Sequence, residues 1–209
     1  MHPNPIFRNR PDQLNLSFAK ARGFGTLVVS TAGAPLISHV PFVLDEIART
    51  VGMHLVRSNP IARLVKESTP ATVAVVGPHS YISPDWYETP DQVPTWNYVA
   101  VHLTGMLEPL PPKDLRPHLE ELSHQFEEQL APKPEWLLDK MGEEPLAKMI
   151  RQILPFRLRI ADVDGTWKLN QNKTDEVRLR AGTAVAEHGI GNALSELAAL
   201  MAEPPEKQA

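Results

Sequence analysis

The sequence predicts a mainly β protein, an antiparallel β-barrel with appended helices. Three observations predict it. Six or so strand-like segments are joined by short turns. The helical stripes are not regularly interleaved with them, so the alternating βα units of a doubly wound sheet are absent. At 209 residues the chain suffices for one sizeable core and is cramped for two, so residues 1–209 are expected to form one domain with a helical C-terminal extension.

Pro11, then Leu14, Phe18 and Ala21 at helical spacing, predict a short amphipathic helix capped by Gly23. Strands are expected at Gly25–Ser30, Leu36–Leu44 and Val51–Arg57, the first two joined by a hairpin through Thr31–Pro35. Ile61–Glu67 reads as a short helix and Thr72–Val76 as a buried strand. Gly77–Pro94 shows no periodicity and reads as a long aromatic-rich loop, with Trp96–Leu107 as the next strand. Leu115, Leu119, Leu122 and Phe126 draw an apolar stripe on a helix. Pro145 opens another that carries Leu146, Met149, Ile150 and Ile153. Phe156, Leu158 and Ile160 alternate with Arg157, Arg159 and Ala161 as in a half-exposed strand, and Ile190–Met201 forms a last helix.

Composition removes several classes of function. There is no cysteine, hence no disulfide, thiolate metal site or Cys nucleophile. A net charge of −4 offers no global basic field for nucleic acid. No apolar run is long enough to span a bilayer and Met1–Arg10 has no signal core, so a soluble cytoplasmic protein without membrane contact is expected. The eight histidines contain no H-E-x-x-H, and neither G-x-G-x-x-G, P-loop nor G-x-S-x-G occurs. Asp162 and Asp164 read as turn formers rather than an acid pair. No metal site is expected.

Four runs could carry chemistry. His54-Leu-Val-Arg-Ser-Asn-Pro-Ile-Ala-Arg63 leaves a strand and starts a helix. There Arg57 and Arg63 can fork onto a phosphate while Ser58 and Asn59 cap or donate; the plainer reading makes Asn59 an N-cap between solvated arginines. Ser38-His39-Val40-Pro41 puts a proline in a strand, which places it at an edge, a bulge or a ligand surface. The stretch from Gly77 to Tyr98 holds two of the four tryptophans and all three tyrosines, suited to stacking, to an interface or to loop packing. Trp167, Lys168, Gln171, Asn172 and Lys173 could meet an anionic aromatic ligand or form an exposed hairpin.

Together, and in this order, these runs resemble the PaiB-like family of negative transcriptional regulators over about residues 3–200. The most specific matches are G-P-H-x-Y-I-S-P-x-W-Y at Gly77–Tyr87 and V-P-T-W-N-Y at Val93–Tyr98, supported by K-L-N-Q-N-K at Lys168–Lys173 and H-x-x-R-x-N-P from His54. The resemblance implies the FMN-binding split β-barrel shared with pyridoxamine-phosphate oxidases and flavin reductases. It implies FMN as cofactor and a homodimer with flavin between the subunits. Ser38, His39, Val40 and Pro41 would then lie along the flavin; Arg57, Ser58, Asn59 and Arg63 would hold its phosphate, with His54 also among the cofactor-binding residues. Trp96 and Asn97, with Trp167, Lys168, Gln171, Asn172 and Lys173, would approach from the partner subunit.

Two functions follow as expectations. The first is a flavin-binding negative regulator with DNA as a candidate partner; no helix-turn-helix and no basic stripe is present, and regulation through a metabolite or a partner is the alternative. The second is an FMN-dependent oxidoreductase of the flavin-reductase or pyridoxamine-phosphate-oxidase type, with His39, His79 or Tyr81 positioning a proton and no catalytic residue assigned. A barrel that holds haem, or nothing, in place of FMN is a weaker third.

Overall fold

A computed structural model describes residues 1–206. Helix α1 (Asp12–Arg22) is followed by β1 (Phe24–Val29), β2 (Leu36–Pro41), β3 (Val43–Asp45), β4 (Thr50–Val56), α2 (Pro60–Leu64), β5 (Thr69–Ile82) and β6 (Thr95–Pro109). Then come α3 (Leu115–Glu127), α4 (Glu143–Ile150), β7 (Ile153–Lys168), α5 (Asp175–His188), β8 (Gly191–Asn192) and α6 (Leu194–Ala202). The strands pair in the order β2-β1-β5-β6-β7-β4-β3, with β8 on β5. The chain divides into two compact units: residues 1–15, 75–102 and 163 onward form the first, and 16–74 with 103–162 the second.

In the second unit the turn after α1 uses Gly23, whose φ of +58° is left-handed. A Cβ there would also lie 2.6 Å from Gln125 Nε2. β1 pairs antiparallel with β2 from Phe24↔Pro41 to Val29↔Leu36, which is the expected hairpin. Pro41 lies on an edge strand, where a missing N–H costs no ladder bond. The expected single strand Leu36–Leu44 is broken at Phe42, which is wholly buried, into β2 and β3. Alternation buries Leu27 and Val29 on β1, Met53 and Leu55 on β4, and Phe156 and Leu158 on β7. Leu115, His118 and Leu122 form the buried stripe of α3. Ile153, expected on α4, instead begins β7, paired with Val56.

In the first unit, part of the expected loop Gly77–Pro94 is strand: β5 continues to Ile82. Gly77 and Pro78 are both buried, so the alternation slips by one and hides the strand from a period-two reading. A short 3-10 turn, Pro84–Tyr87, follows with Tyr87 buried. Asp164 is not in a turn but within β7, bound to Arg8. α5 has no sequence forecast because its apolar residues are mostly alanine and valine, which draw no bold stripe. Ala181 and Gly182 let it meet α6 closely; a Cβ on Gly182 would sit 3.5 Å from Met201 Cβ. α6 starts at Leu194, four residues later than expected, because Gly191 and Asn192 pair with Ser80 and His79.

Gly105 of β6 is the tightest backbone contact in the second unit: a Cβ there would lie 1.8 Å from the Arg159 carbonyl oxygen. Gly105→Ala should therefore destabilise the fold by about 1–3 kcal/mol, read as a lowered midpoint in urea. Gly33→Ala, in an open turn whose nearest atom is 3.9 Å away, should leave that midpoint nearly unchanged.

Candidate functional site

The two halves of the expected site fall in different units. In the second unit, β4 ends and α2 begins within the run His54–Arg63. Pro60 occupies the first helical position, and Asn59 caps the helix with Oδ1 accepting from the Ile61 N–H at 2.9 Å. The other end of the same carboxamide donates from Nδ2 to Ser38 Oγ at 3.1 Å. One side chain thus joins the two runs that the sequence singles out. Ser58 is exposed beside the cap. Arg57 and Arg63 are exposed as well; Arg57 Nε donates to the Arg151 carbonyl at 2.5 Å, one of its five donors.

The run Ser38–Pro41 presents two faces, because successive strand residues point opposite ways. Ser38 turns toward Asn59, and Val40 on the same side is 2% exposed. His39 is exposed on the other side, its Nδ1 3.1 Å from Thr26 Oγ1 on the paired strand. A flat ligand along β2 would meet His39 side-on or the strand's backbone, not all four side chains.

His54 stands apart from the arginines. Its Nδ1 is 3.2 Å from Nε2 of His118 on α3. Burial holds both imidazoles below their ordinary pKa, that of His118 at about 4, with the neighbouring His54 a smaller cause. His118 also lines a cavity of about 320 Å³ with Thr50, Asp114, Glu121 and Arg157.

In the first unit, Trp96 opens β6 and is 47% exposed. Its ring centroid is 6.1 Å from His79 and 6.2 Å from Tyr81, so β5 and β6 present an aromatic cluster. His79 is oriented by a contact of 3.1 Å between Nδ1 and the Gly77 carbonyl oxygen. Asn97, on the opposite face, is wholly buried, with Nδ2 on Met201 Sδ at 3.5 Å. Trp167 is buried too, and its Nε1 donates to Asn15 Oδ1 at 2.8 Å.

The run after Trp167 is a tied turn rather than a free hairpin. Gln171 closes it, donating to the Trp167 carbonyl while Oε1 accepts the Leu169 N–H at 2.7 Å. Asn170 adopts φ +63°, a conformation asparagine tolerates, and accepts a bond of 3.3 Å from the buried Tyr87 hydroxyl. Lys168 donates to Thr95 Oγ1, and burial lowers its pKa. Lys173 donates to Gln92 Oε1 and lies 4.9 Å from the Tyr87 ring centre. Asn172 alone of this run is exposed. Sequence reasoning missed Asn15 and His118, whose partners lie 152 and 64 residues away.

Among the described residues no group of three or more His, Asp or Glu is disposed to hold a metal ion, and no helix is long and apolar enough to cross a membrane. An antiparallel sheet with appended helices defines a protein of the split-barrel fold class. Residues 1–162 match the family described as "Putative FMN-binding domain", and the chain belongs to that family. It is 28% identical over 194 residues to "Protease synthase and sporulation protein PAI 2" of Bacillus subtilis (strain 168), covering 92% of each chain. That similarity bears out the PaiB-like resemblance.

The chain is also similar in structure to the FAD and heme binding protein from Mycobacterium smegmatis, with a TM-score of 0.55 and 17% identity over 88% of this chain and 80% of that one. The flavocytochrome Anf3 from Azotobacter vinelandii matches with a TM-score of 0.55 and 16% identity, over 80% of this chain and 72% of that one. At such identities these likenesses show the fold.

The cofactor expected from the sequence, FMN, is that of the family. The residues present suit it chemically. A phosphate needs cations and neutral donors; Arg57 and Ser58, just before α2, and Arg63, in its last turn, are exposed. A flavin ring needs aromatic and apolar walls, which Trp96 and Tyr81 offer.

The buried histidine pair sets a pH dependence. A neutral imidazole held at a pKa of about 4 folds without a proton that the unfolded chain takes up near 6.5. Stability from His118 is therefore complete above pH 6.5 and falls as the pH drops toward 4, by roughly 3 kcal/mol at most. In His118→Leu the decline of urea stability between pH 6.5 and 4 should be visibly shallower than in the parent chain.

Proposed function

We propose that this protein binds FMN as a cytoplasmic homodimer and acts as a negative transcriptional regulator whose flavin is the sensed group. The observation that carries the flavin part is the helix start at Asn59, tied to Ser38 and flanked by two exposed arginines. Arg57, Ser58 and Arg63 hold the phosphate, and the cluster of Trp96, Tyr81 and His79 walls the ring system from the second subunit of the dimer. Ser38 and Asn59 act as positioning residues. Asn97 and Trp167 serve from the interior by holding β6 and β7 in place. When bound, FMN supplies one- and two-electron redox chemistry, and the chain's part is to hold and shield it.

Support for a dimer comes from apolar side chains left on the surface. Val76, Val93 and Trp96 are 65%, 73% and 47% exposed in the first unit, apolar surface that a second subunit would cover. Support for regulation comes from the Bacillus subtilis relative, whose name ties that protein to protease synthesis and sporulation. A net charge of −4 favours action through a partner or metabolite over direct reading of DNA. The oxidoreductase reading rests on His79, oriented by the Gly77 carbonyl beside Trp96 as a group to position a proton. Steady turnover of the bound flavin with a reduced nicotinamide and a small acceptor would move the assignment to that reading.

The phosphate assignment has a direct test. Arg57→Gln combined with Arg63→Gln should weaken FMN binding at least tenfold while leaving riboflavin, which lacks the phosphate, nearly unchanged. Equal loss for both ligands, or no loss, contradicts the assignment. Light scattering of the purified protein should give twice the 23.3 kDa chain mass.

A further inference from the structure

The cavity beside His118 lies wholly within the second unit, where α3 packs on β3 and β4. Thr50, Gly52 and His54 alternate along β4 and so share one of its faces. Gly52 pairs with Val43 on one side and Arg157 on the other, so β3 and β7 extend the same wall. His118 is only 9% exposed. Its Nε2 is 3.2 Å from His54 Nδ1, and its own Nδ1 has no partner among the described residues. That nitrogen is not a sealed atom. It faces the space that Gly52 leaves without a side chain, where a Cβ would lie 3.4 Å away, and both residues line the cavity. A nearly buried ring nitrogen with no partner is a place for a ligand to complete.

The walls carry a surplus of negative charge. Asp45, Asp114 and Glu121 line the cavity against one cation, Arg157; with His118 neutral, three negative charges and one positive leave −2. Arg157 makes no ion pair with any of the three. Asp45 spends Oδ1 on the Ile47 and Ala48 N–H groups, at 2.9 and 2.8 Å, which leaves Oδ2. Asp114 precedes α3 without bonding a cap N–H, and Glu121 has no partner among the described residues. The cations of the adjoining cleft are engaged elsewhere: Lys20 pairs with Glu46 at 3.7 Å and His124 with Glu135 at 2.8 Å. Asp45 and Glu121 are exposed, so the cavity opens to solvent on their side.

A compact cation does not answer this surplus. No three of these side chains are disposed to hold one metal ion, so the carboxylates are spread along the cavity rather than gathered. Val43, Leu110, Pro117 and Phe156 share the lining and suit a hydrocarbon chain. The volume of about 320 Å³ falls at the small end of ligand pockets, which run from about 300 to 1,000 Å³. We propose that this cavity binds a linear organic diammonium ion, one ammonium donating to His118 Nδ1 while Asp45, Asp114 and Glu121 supply the countercharge. An ammonium has donors only, so His118 must present a lone pair at Nδ1 and give its Nε2 proton to His54. Arg57, Ser58, Arg63 and the Trp96 cluster take no part in this lining, so the proposal stands whether or not FMN binds as described.

Diaminobutane is the probe. In ¹⁵N spectra of the protein at neutral pH and constant ionic strength, His118 Nδ1 should give the signal of an unprotonated ring nitrogen. That signal should move saturably as diaminobutane dihydrochloride replaces sodium chloride, with and without saturating FMN. His118→Leu supplies the assignment by removing it. Butylamine, with one ammonium, and magnesium chloride, with a compact dication, should each bind at least tenfold more weakly. Asp114→Asn combined with Glu121→Gln should weaken diaminobutane at least tenfold, with the far-ultraviolet circular dichroism unchanged. A protonated Nδ1, a shift that does not saturate, equal binding of butylamine or magnesium, affinity that survives in the double variant, or displacement of diaminobutane by FMN each overturns the proposal. Should the double variant fail to fold, the parent protein's Nδ1 titration against the three cations still decides it.

Discussion

Asn59 spends both ends of one carboxamide. Its oxygen caps the first turn of α2 and its nitrogen reaches Ser38 on the edge strand β2. An edge strand has an unpaired row of backbone groups and is the part of a sheet most free to move. This bond, with the pairing of β2 to β1, fixes where the strand lies against the helix start. Arg57 and Arg63 stand two residues before the cap and four after it in the sequence, and Arg57 Nε is further tied to the Arg151 carbonyl. The cap uses no donor of Arg57 or Arg63, so it does not compete with the phosphate role proposed for them.

The two units handle polar groups differently. In the second unit the charges that matter are on the surface, and the buried polar pair, His54 with His118, is kept neutral by its surroundings. In the first unit polar side chains are taken inside. Asn15, Asn97 and Asn170 are each at most 2% exposed, and Asn97 Oδ1 and Asn170 Nδ2 lack partners. Unsatisfied interior amides cost stability, of order 1–3 kcal/mol each where no water reaches them. The Asn15–Trp167 bond and the Tyr87–Asn170 bond show what part of that cost is offset by direct pairing. They also explain why V-P-T-W-N-Y and K-L-N-Q-N-K carry so many amides: half of these side chains face inward.

Much of the fold was legible because it rests on local pattern. Leu14 and Phe18 marked α1, Thr31–Pro35 marked the β1–β2 hairpin, and the Phe156–Ile160 alternation marked the middle of β7. The failures have physical causes. The slip at Gly77 and Pro78 masked the end of β5, and the alanine-rich face of α5 gave no apolar contrast. The site was legible at Asn59, whose capping role follows from the proline after it. It was not legible at Asn97, because nothing in a strand sequence says that a helix 104 residues away will cover it. Nor could the sequence show that Lys168 and Lys173 are tethered, since their partners Thr95 and Gln92 lie at a strand start and in a loop far upstream.

The central claim is that this chain carries FMN, and the visible absorbance spectrum of the purified protein tests it most directly, followed by heat release and mass identification of the chromophore. The account predicts flavin bands and FMN in the supernatant. A colourless protein that takes up no added FMN, or one with a haem Soret band and no flavin, contradicts it.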